Sequence, residues 1–150
     1  MKYTCELTID LPRDEVIALF DDPDNLVKWQ PGLKSFEHLS GEPGQSGAKS
    51  RLVYDEGGRR IEMIETIVER NLPETFAGTY ETKGVWNSVS NHFLEEDGKT
   101  RWVMDSDFRF SGYMRLMLIF MRGAFRKQTE KTMRRFRDFA EGGGTEDTAD

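Results

Sequence analysis

The sequence is short of most devices that name an activity outright. It has one cysteine, Cys5, so no internal disulfide can form, and the residue reads as a small packed side chain in a strand-like run. It has two histidines, His38 and His92, and neither stands at metal-ligand spacing with Cys, Asp or Glu. A Gly-x-Ser-x-Gly nucleophile elbow is missing, as are Gly-x-Gly-x-x-Gly and a phosphate-binding loop. The glycine-rich stretch from Gly41 to Gly47 lies between two strand-like runs, whereas phosphate cradles open a helix. No metal and no organic cofactor are therefore expected. No run approaches the roughly 18 apolar residues of a membrane-spanning helix, and the first residues carry no charged-then-apolar leader, so a cytoplasmic protein is expected. A positive excess is missing too: the net charge of −6 argues against nucleic acid as a partner, since phosphate binding rests on a basic surface.

What is present is a pattern of strands closed by a long helix. The 150 residues suit one domain with a real core, over residues 1–141, followed by a glycine-rich acidic tail over 142–150 that has nothing apolar to bury. Tyr3, Cys5, Leu7 and Ile9 alternate with polar residues as a half-buried strand. Asp10-Leu11-Pro12 offers a cap and a helix start, with Val16, Leu19 and Phe20 as the apolar side. Asp22-Pro23 starts a second short helix that buries Leu26, Val27 and Trp29 before Pro31-Gly32 stops it. Strands are then predicted at 33–39, 48–54, 59–69, 75–82, 85–95 and 101–110, joined by short turns into an antiparallel meander. Asp97-Gly98 is the strongest hairpin signal, because the pair readily supplies the positive φ angles of a tight primed turn.

A sheet of this length needs a cover, and the run from Tyr113 to Glu141 supplies one, as a helix of roughly 40 Å if continuous. Met114, Leu118, Met121, Phe125, Thr129, Thr132, Phe136 and Phe139 fall on one side of its wheel, and Arg126, Lys127, Lys131, Arg134 and Arg137 on the other. The run holds eight Arg or Lys against three acids, and strand acids such as Asp105 and Asp107 are the expected partners of its basic face. Leu116, Met117, Ile119 and Phe120 lie off the stripe, and Gly123 is where a bend is expected.

Certain residues at their places in this order carry a family resemblance: Pro12 with Glu15, Val16 and Phe20; Asp22-Pro23; Trp29 with Pro31-Gly32; and Gly47. Phe93 to Arg101, with Gly98 between, and the ending Phe136 to Glu141 complete the set. The chain resembles the START and birch-pollen-allergen superfamily (SRPBCC), and within it the bacterial polyketide cyclase/dehydrase and lipid transport branch. The resemblance implies an α+β helix-grip fold: a seven-stranded curved antiparallel sheet, two short helices after the first strand, and a long C-terminal helix over an internal cavity. It further implies a small hydrophobic ligand, whether a lipid, a sterol-like molecule or an aromatic polyketide, and in some members a cofactor-independent cyclase or dehydratase activity.

Phe93 and Trp102 fit family positions that point inward. Alternation then brings Asn87, Val89, Asn91, Met104, Phe108 and Phe110 to the same face, unless a bulge shifts the register. Ile61, Met63, Glu65 and Ile67 share a face of the fourth strand, where a desolvated carboxylate could act as acid or base, although an ordinary solvent-facing strand is the plainer reading. Glu65, Tyr80 and Asn91 are thus the catalytic candidates, with Tyr54 a second phenol. Met63, Asn87, Val89, Asn91, Phe93, Trp102, Met104, Phe108, Met114, Leu118, Met121 and Phe125 are the ligand-binding candidates. Leu116 and Phe120 point away from the cavity, toward a homodimer partner, a lid contact or a membrane surface. Carrier, enzyme and interaction module remain as three readings, with the carrier first because no convergent acid and base set is visible.

Overall fold

The structure, a computed structural model, describes residues 1–142. The tail expected over 142–150 therefore falls, except for Gly142, outside the described residues.

Seven strands form one antiparallel sheet: β1 (Lys2–Ile9), β2 (Leu33–Ser40), β3 (Lys49–Glu56), β4 (Arg59–Asn71), β5 (Thr75–Thr82), β6 (Val85–Glu96) and β7 (Lys99–Phe110). Their order is β1-β7-β6-β5-β4-β3-β2, so strands 2 to 7 follow one another as a meander and β1 closes on the last of them. The sheet stays open, with β1 and β2 as its edges. Asp97 (φ 53°) and Gly98 (φ 78°) both take the left-handed conformation in the β6–β7 turn, as a primed hairpin requires. Irregularities of register interrupt β2 near Ser35 and Ser40 and β4 between Ile67 and Glu69. Each adds local twist, which helps a sheet of this width to curl.

Two short helices, α1 (Arg13–Phe20) and α2 (Leu26–Trp29), lead from β1 across to β2 at the opposite edge. Asp22 caps the intervening 3₁₀ turn, its side chain accepting from the Asp24 N–H at 3.0 Å. Asp10 does not cap α1. The N-cap position is Pro12, and the Asp10 N–H instead donates to Glu141 at 2.8 Å. Trp29 is buried as expected, but Val27 is 54 % exposed, because α2 is one turn long and can bury only one side.

The C-terminal run is two helices, α3 (Arg115–Phe120) and α4 (Arg122–Glu141), separated at Met121 (φ −119°, ψ 19°). The break comes two residues before Gly123, which sits inside the first turn of α4. The basic face of α4 also pairs differently from expectation. Asp105 accepts from Thr4 at 2.6 Å and lies 3.4 Å from His92, while Asp107 lies beside Arg109 and the N-terminal amine. Both acids alternate with Met104 and Ser106, so they point to the sheet face away from the helix. Arg126 reaches the Thr4 carbonyl at the β1 edge instead.

The tightly packed core is gathered at one end, where α1, α2 and the second half of α4 meet β1, β6 and β7. Ile9, Val16, Trp29, Phe93, Trp102, Met133, Phe136, Phe139 and Ala140 make it, with Cys5 beside them. Phe20 is the hub of its aromatic part, with ring centroids at 5.0 Å from Phe93, 5.8 Å from Phe136 and about 6 Å from Trp29, Phe76 and Trp102. Buried aromatic area of this kind, with edge-to-face pairs worth roughly 0.5–1.5 kcal/mol each beyond the burial, fixes the angle at which α1 and α4 grip the sheet.

Candidate functional site

Beyond that aromatic cluster the concave face of the sheet is not filled. A cavity of about 430 Å³ lies between it and α4, partly open to solvent. Strand alternation decides its floor: Leu52 on β3, Met63 and Ile67 on β4, Val89 on β6 and Met104 on β7 all point inward. Gly78 on β5 sits between Ile67 and Val89 in the register and contributes no side chain at that point. Phe20, Trp29, Phe76 and Trp102 close one end, and Gln128, Thr129 and Thr132 of α4 form the roof. At the rim, Arg70 of β4 holds Asp21 of the α1 end through two bonds of 2.6 and 2.8 Å and reaches the Gly44 carbonyl of the β2–β3 turn at 3.3 Å.

One row of polar residues crosses this apolar floor. Ser50, Glu65, Tyr80 and Asn87 are successive register partners on β3, β4, β5 and β6, and all line the cavity. The Tyr80 hydroxyl donates to Glu65 Oε2 at 2.9 Å. Nearby, the Tyr54 hydroxyl donates to Gln30 Oε1 at 2.6 Å. Burial pushes the Glu65 carboxyl above its ordinary 4.5, against the opposing pull of the Tyr80 hydrogen bond. Burial likewise raises both phenols, with the negative charge of Glu65 adding to each. Two buried polar atoms of lining residues have no hydrogen-bond partner among the described residues, Asn87 Oδ1 and Trp29 Nε1. A buried group of this kind carries a desolvation cost of about 1–3 kcal/mol until something bonds to it.

The sequence matches the family described as polyketide cyclase / dehydrase and lipid transport over residues 2–141. The chain belongs to this family. Its members share the helix-grip fold seen here, and solved structures carry the same likeness at low identity. Ara h 8.0201 superposes with a TM-score of 0.77 at 15 % identity, covering 95 % of this chain and 98 % of its own. TTHA0849 from Thermus thermophilus gives 0.78 at 16 %, covering 97 % of this chain and all of its own (100 %). The di-domain ARO/CYC BexL from the BE-7585A biosynthetic pathway gives 0.75 at 17 %, covering 94 % of this chain, which spans 50 % of it. No curated protein matches the sequence.

Within this family member, Met63, Asn87, Val89, Asn91, Trp102 and Met104 stand in the cavity wall, as do Glu65 and Tyr80. Phe93 lies beneath the wall, fully buried against Trp102 with ring centroids 5.9 Å apart. Phe108, Met114, Leu118, Met121 and Phe125 are not in the wall. The helix break explains this: α3 turns off the sheet, Met114 settles against Gly84, and Phe125 fills the space over Phe108 and Phe110 at 5.0 and 5.4 Å between centroids. The roof therefore comes from one to two turns further along α4, and it is more polar than the expected methionines.

Both ends of the Asn91 amide have protein partners. Its Oδ1 accepts from Trp102 Nε1 at 2.9 Å and its Nδ2 donates to the Phe76 carbonyl at 3.2 Å. Sequence reasoning missed Gln30, Phe76 and Gln128 as wall residues. The one signal for the roof was the pair Thr129 and Thr132 on an otherwise apolar stripe, where a helix meeting a dry core would carry leucine. Among the described residues no group of three or more His, Cys, Asp or Glu is arranged to hold a metal ion.

Proposed function

We propose that this protein is a cytoplasmic carrier that holds a small hydrophobic molecule, a lipid, sterol-like compound or aromatic polyketide, in the cavity between its sheet and α4. The observation that supports the reading is the wall itself. Six strands, β2 to β7, contribute residues to one concave, mainly apolar surface closed at one end by four aromatic rings, with a volume of about 430 Å³. Each methylene taken from water into such a space is worth about 0.8 kcal/mol, so affinity comes mainly from burial. Binding of the neutral dye Nile red, followed by fluorescence, tests this, together with native mass spectrometry for a co-purifying compound. Stoichiometric uptake that falls tenfold or more in Val89→Phe, which fills the space opposite Gly78, supports the reading. Failure to take up the dye, with no compound carried through purification, overturns it.

A second reading, a cyclase or dehydratase on a bound polyketide, is favoured by one feature, the Glu65–Tyr80 pair. A carboxyl with a raised pKa beside a phenol in an apolar cleft is an arrangement able to move a proton. It predicts that Glu65→Gln abolishes turnover of a substrate whose binding survives, whereas a carrier has no turnover to lose.

The described residues include no helix long and apolar enough to cross a membrane. The exposed side chains of Leu116, Ile119 and Phe120, between Arg115 and Arg122, with Tyr113 just before them, suit contact with an anionic bilayer surface where a ligand is collected or delivered.

A further inference from the structure

The polar row across the cavity floor, Ser50, Glu65, Tyr80 and Asn87, holds a carboxylate and neutral polar groups and no cation. Glu65 contributes two carboxyl oxygens and Asn87 contributes Oδ1, which is buried without a partner among the described residues. The Tyr80 hydroxyl is already spent on Glu65 Oε2, which leaves the Ser50 hydroxyl and the Asn87 amide N–H groups as the row's remaining donors, all of them neutral. Tyr54 is likewise spent on Gln30. The basic side chains that line the cavity stand elsewhere: Arg70 is clasped by Asp21 at the rim, and His38 is on β2, two strands or about 10 Å from Glu65 along the same register row. An apolar body seated on Met63, Ile67 and Val89 would therefore bring its polar end to a place that holds an unpartnered acceptor, Asn87 Oδ1, and, among the described residues, no free positive charge.

Resting on the carrier reading, we infer that the cavity selects neutral amphiphiles whose polar end donates a hydrogen bond, a hydroxyl above all, and turns away the corresponding carboxylates. A hydroxyl donates to Asn87 Oδ1 or the free oxygen of Glu65, and so removes the cost of an unpaired buried acceptor. A carboxylate has nothing to give to either atom. It would also place a second negative charge beside Glu65 in a poorly screened site, so that one of the two must take up a proton before both fit. The raised pKa of Glu65 is consistent with surroundings that already resist charge. Apolar burial fixes how strongly any such molecule binds, and the row fixes which head group it carries.

The test is displacement of Nile red from the intact protein at pH 7.5 by two probes of one chain length, 1-decanol and decanoate. Decanol is expected to displace the dye at a concentration at least tenfold lower than decanoate. In Asn87→Leu, the advantage of decanol over decanoate, each measured against the dye affinity of that variant, should fall by about tenfold, the loss typical of one buried hydrogen bond. In Glu65→Gln the disadvantage of decanoate should shrink to within about threefold. Equal displacement by the two probes, or a preference for decanoate, overturns the selectivity while leaving the carrier reading intact. Selectivity that persists unchanged in both variants also overturns it, because it then has another source. Failure of the wild-type protein to bind Nile red is a different result, and refutes the carrier reading itself.

Discussion

Replacing Asn91 with leucine should destabilise the protein whether or not any ligand is present. Asn91 is 6 % exposed and Trp102 fully buried, and the indole N–H has the Asn91 amide oxygen as its acceptor at 2.9 Å. Leucine is close in shape but accepts nothing, so the indole donor is left unpaired and the Phe76 carbonyl loses the amide that now donates to it. One unsatisfied buried donor costs about 1–3 kcal/mol. For a domain of this length each kcal/mol shifts Tm by roughly 2–4 °C, so a fall of about 2–12 °C is expected. Urea unfolding followed by far-ultraviolet circular dichroism gives the free energy without depending on tryptophan emission, and the slope with denaturant should not change. The decisive form is a double-mutant cycle. In a Trp102→Phe background there is no donor to strand, and Asn91→Leu should then cost at least 1 kcal/mol less than in the wild type. Additive effects, or a cost below about 0.5 kcal/mol in the wild type, would refute the assignment of Asn91 to the framework and return it to the ligand.

Three further outcomes follow from particular contacts. Glu65 titrates above its ordinary 4.5 in the folded state, so both states are protonated below that pH, stability falls as pH rises from 4.5 through the raised value, and the deficit then stays constant. Glu65→Gln should therefore gain in Tm relative to wild type at pH 7.5 but not at pH 4, and an equal difference at both pH values would count against a desolvated carboxyl; Tyr54 and Tyr80 stay neutral over that range, and His38 lies at the edge of the same row. Gly84 takes φ +79°, and a Cβ there would come within 2.6 Å of Met114 Cγ, so Gly84→Ala should cost about 1–2 kcal/mol in chemical denaturation. On α3, Leu116→Glu with Phe120→Glu should abolish co-sedimentation with vesicles containing anionic lipid while Nile red affinity stays the same; unaltered co-sedimentation would remove the bilayer from consideration.

The strands were readable because alternation and turn residues agreed. Asp97-Gly98 fixed a hairpin, the inward row Val89, Asn91, Phe93 kept its register, and the bulges fell on β2 and β4 without disturbing it. The C-terminal run was readable only in part. A helical wheel assumes one axis, and a break at Met121 gives the two halves different axes, so Met114, Leu118 and Met121 shared a stripe in the sequence and not a cavity in the molecule. The asparagines were out of reach for another reason. Asn87 and Asn91 sit four residues apart on one face of β6, alike in the sequence. What separates them is Trp102, eleven residues further on, which occupies one amide oxygen and not the other. The ion pairs of Asp105 and Asp107 depended in the same way on which face of the sheet a charge occupies.

The uneven packing of the molecule makes its occupant part of its architecture. Aromatic side chains hold one end of the helix grip together, while β3, β4 and β5 turn Leu52, Met63, Ile67 and Tyr80 toward space. Whatever fills that space serves those strands as interior, and a molecule present at a hundred times its dissociation constant adds about 2.7 kcal/mol to the folded state. Among proteins of marginal stability, that is enough to alter how often a chain is found open to proteases. Empty copies would be turned over faster than loaded ones. For a carrier, the amount of protein that persists in a cell would then follow the supply of its cargo, without any separate sensor to measure it.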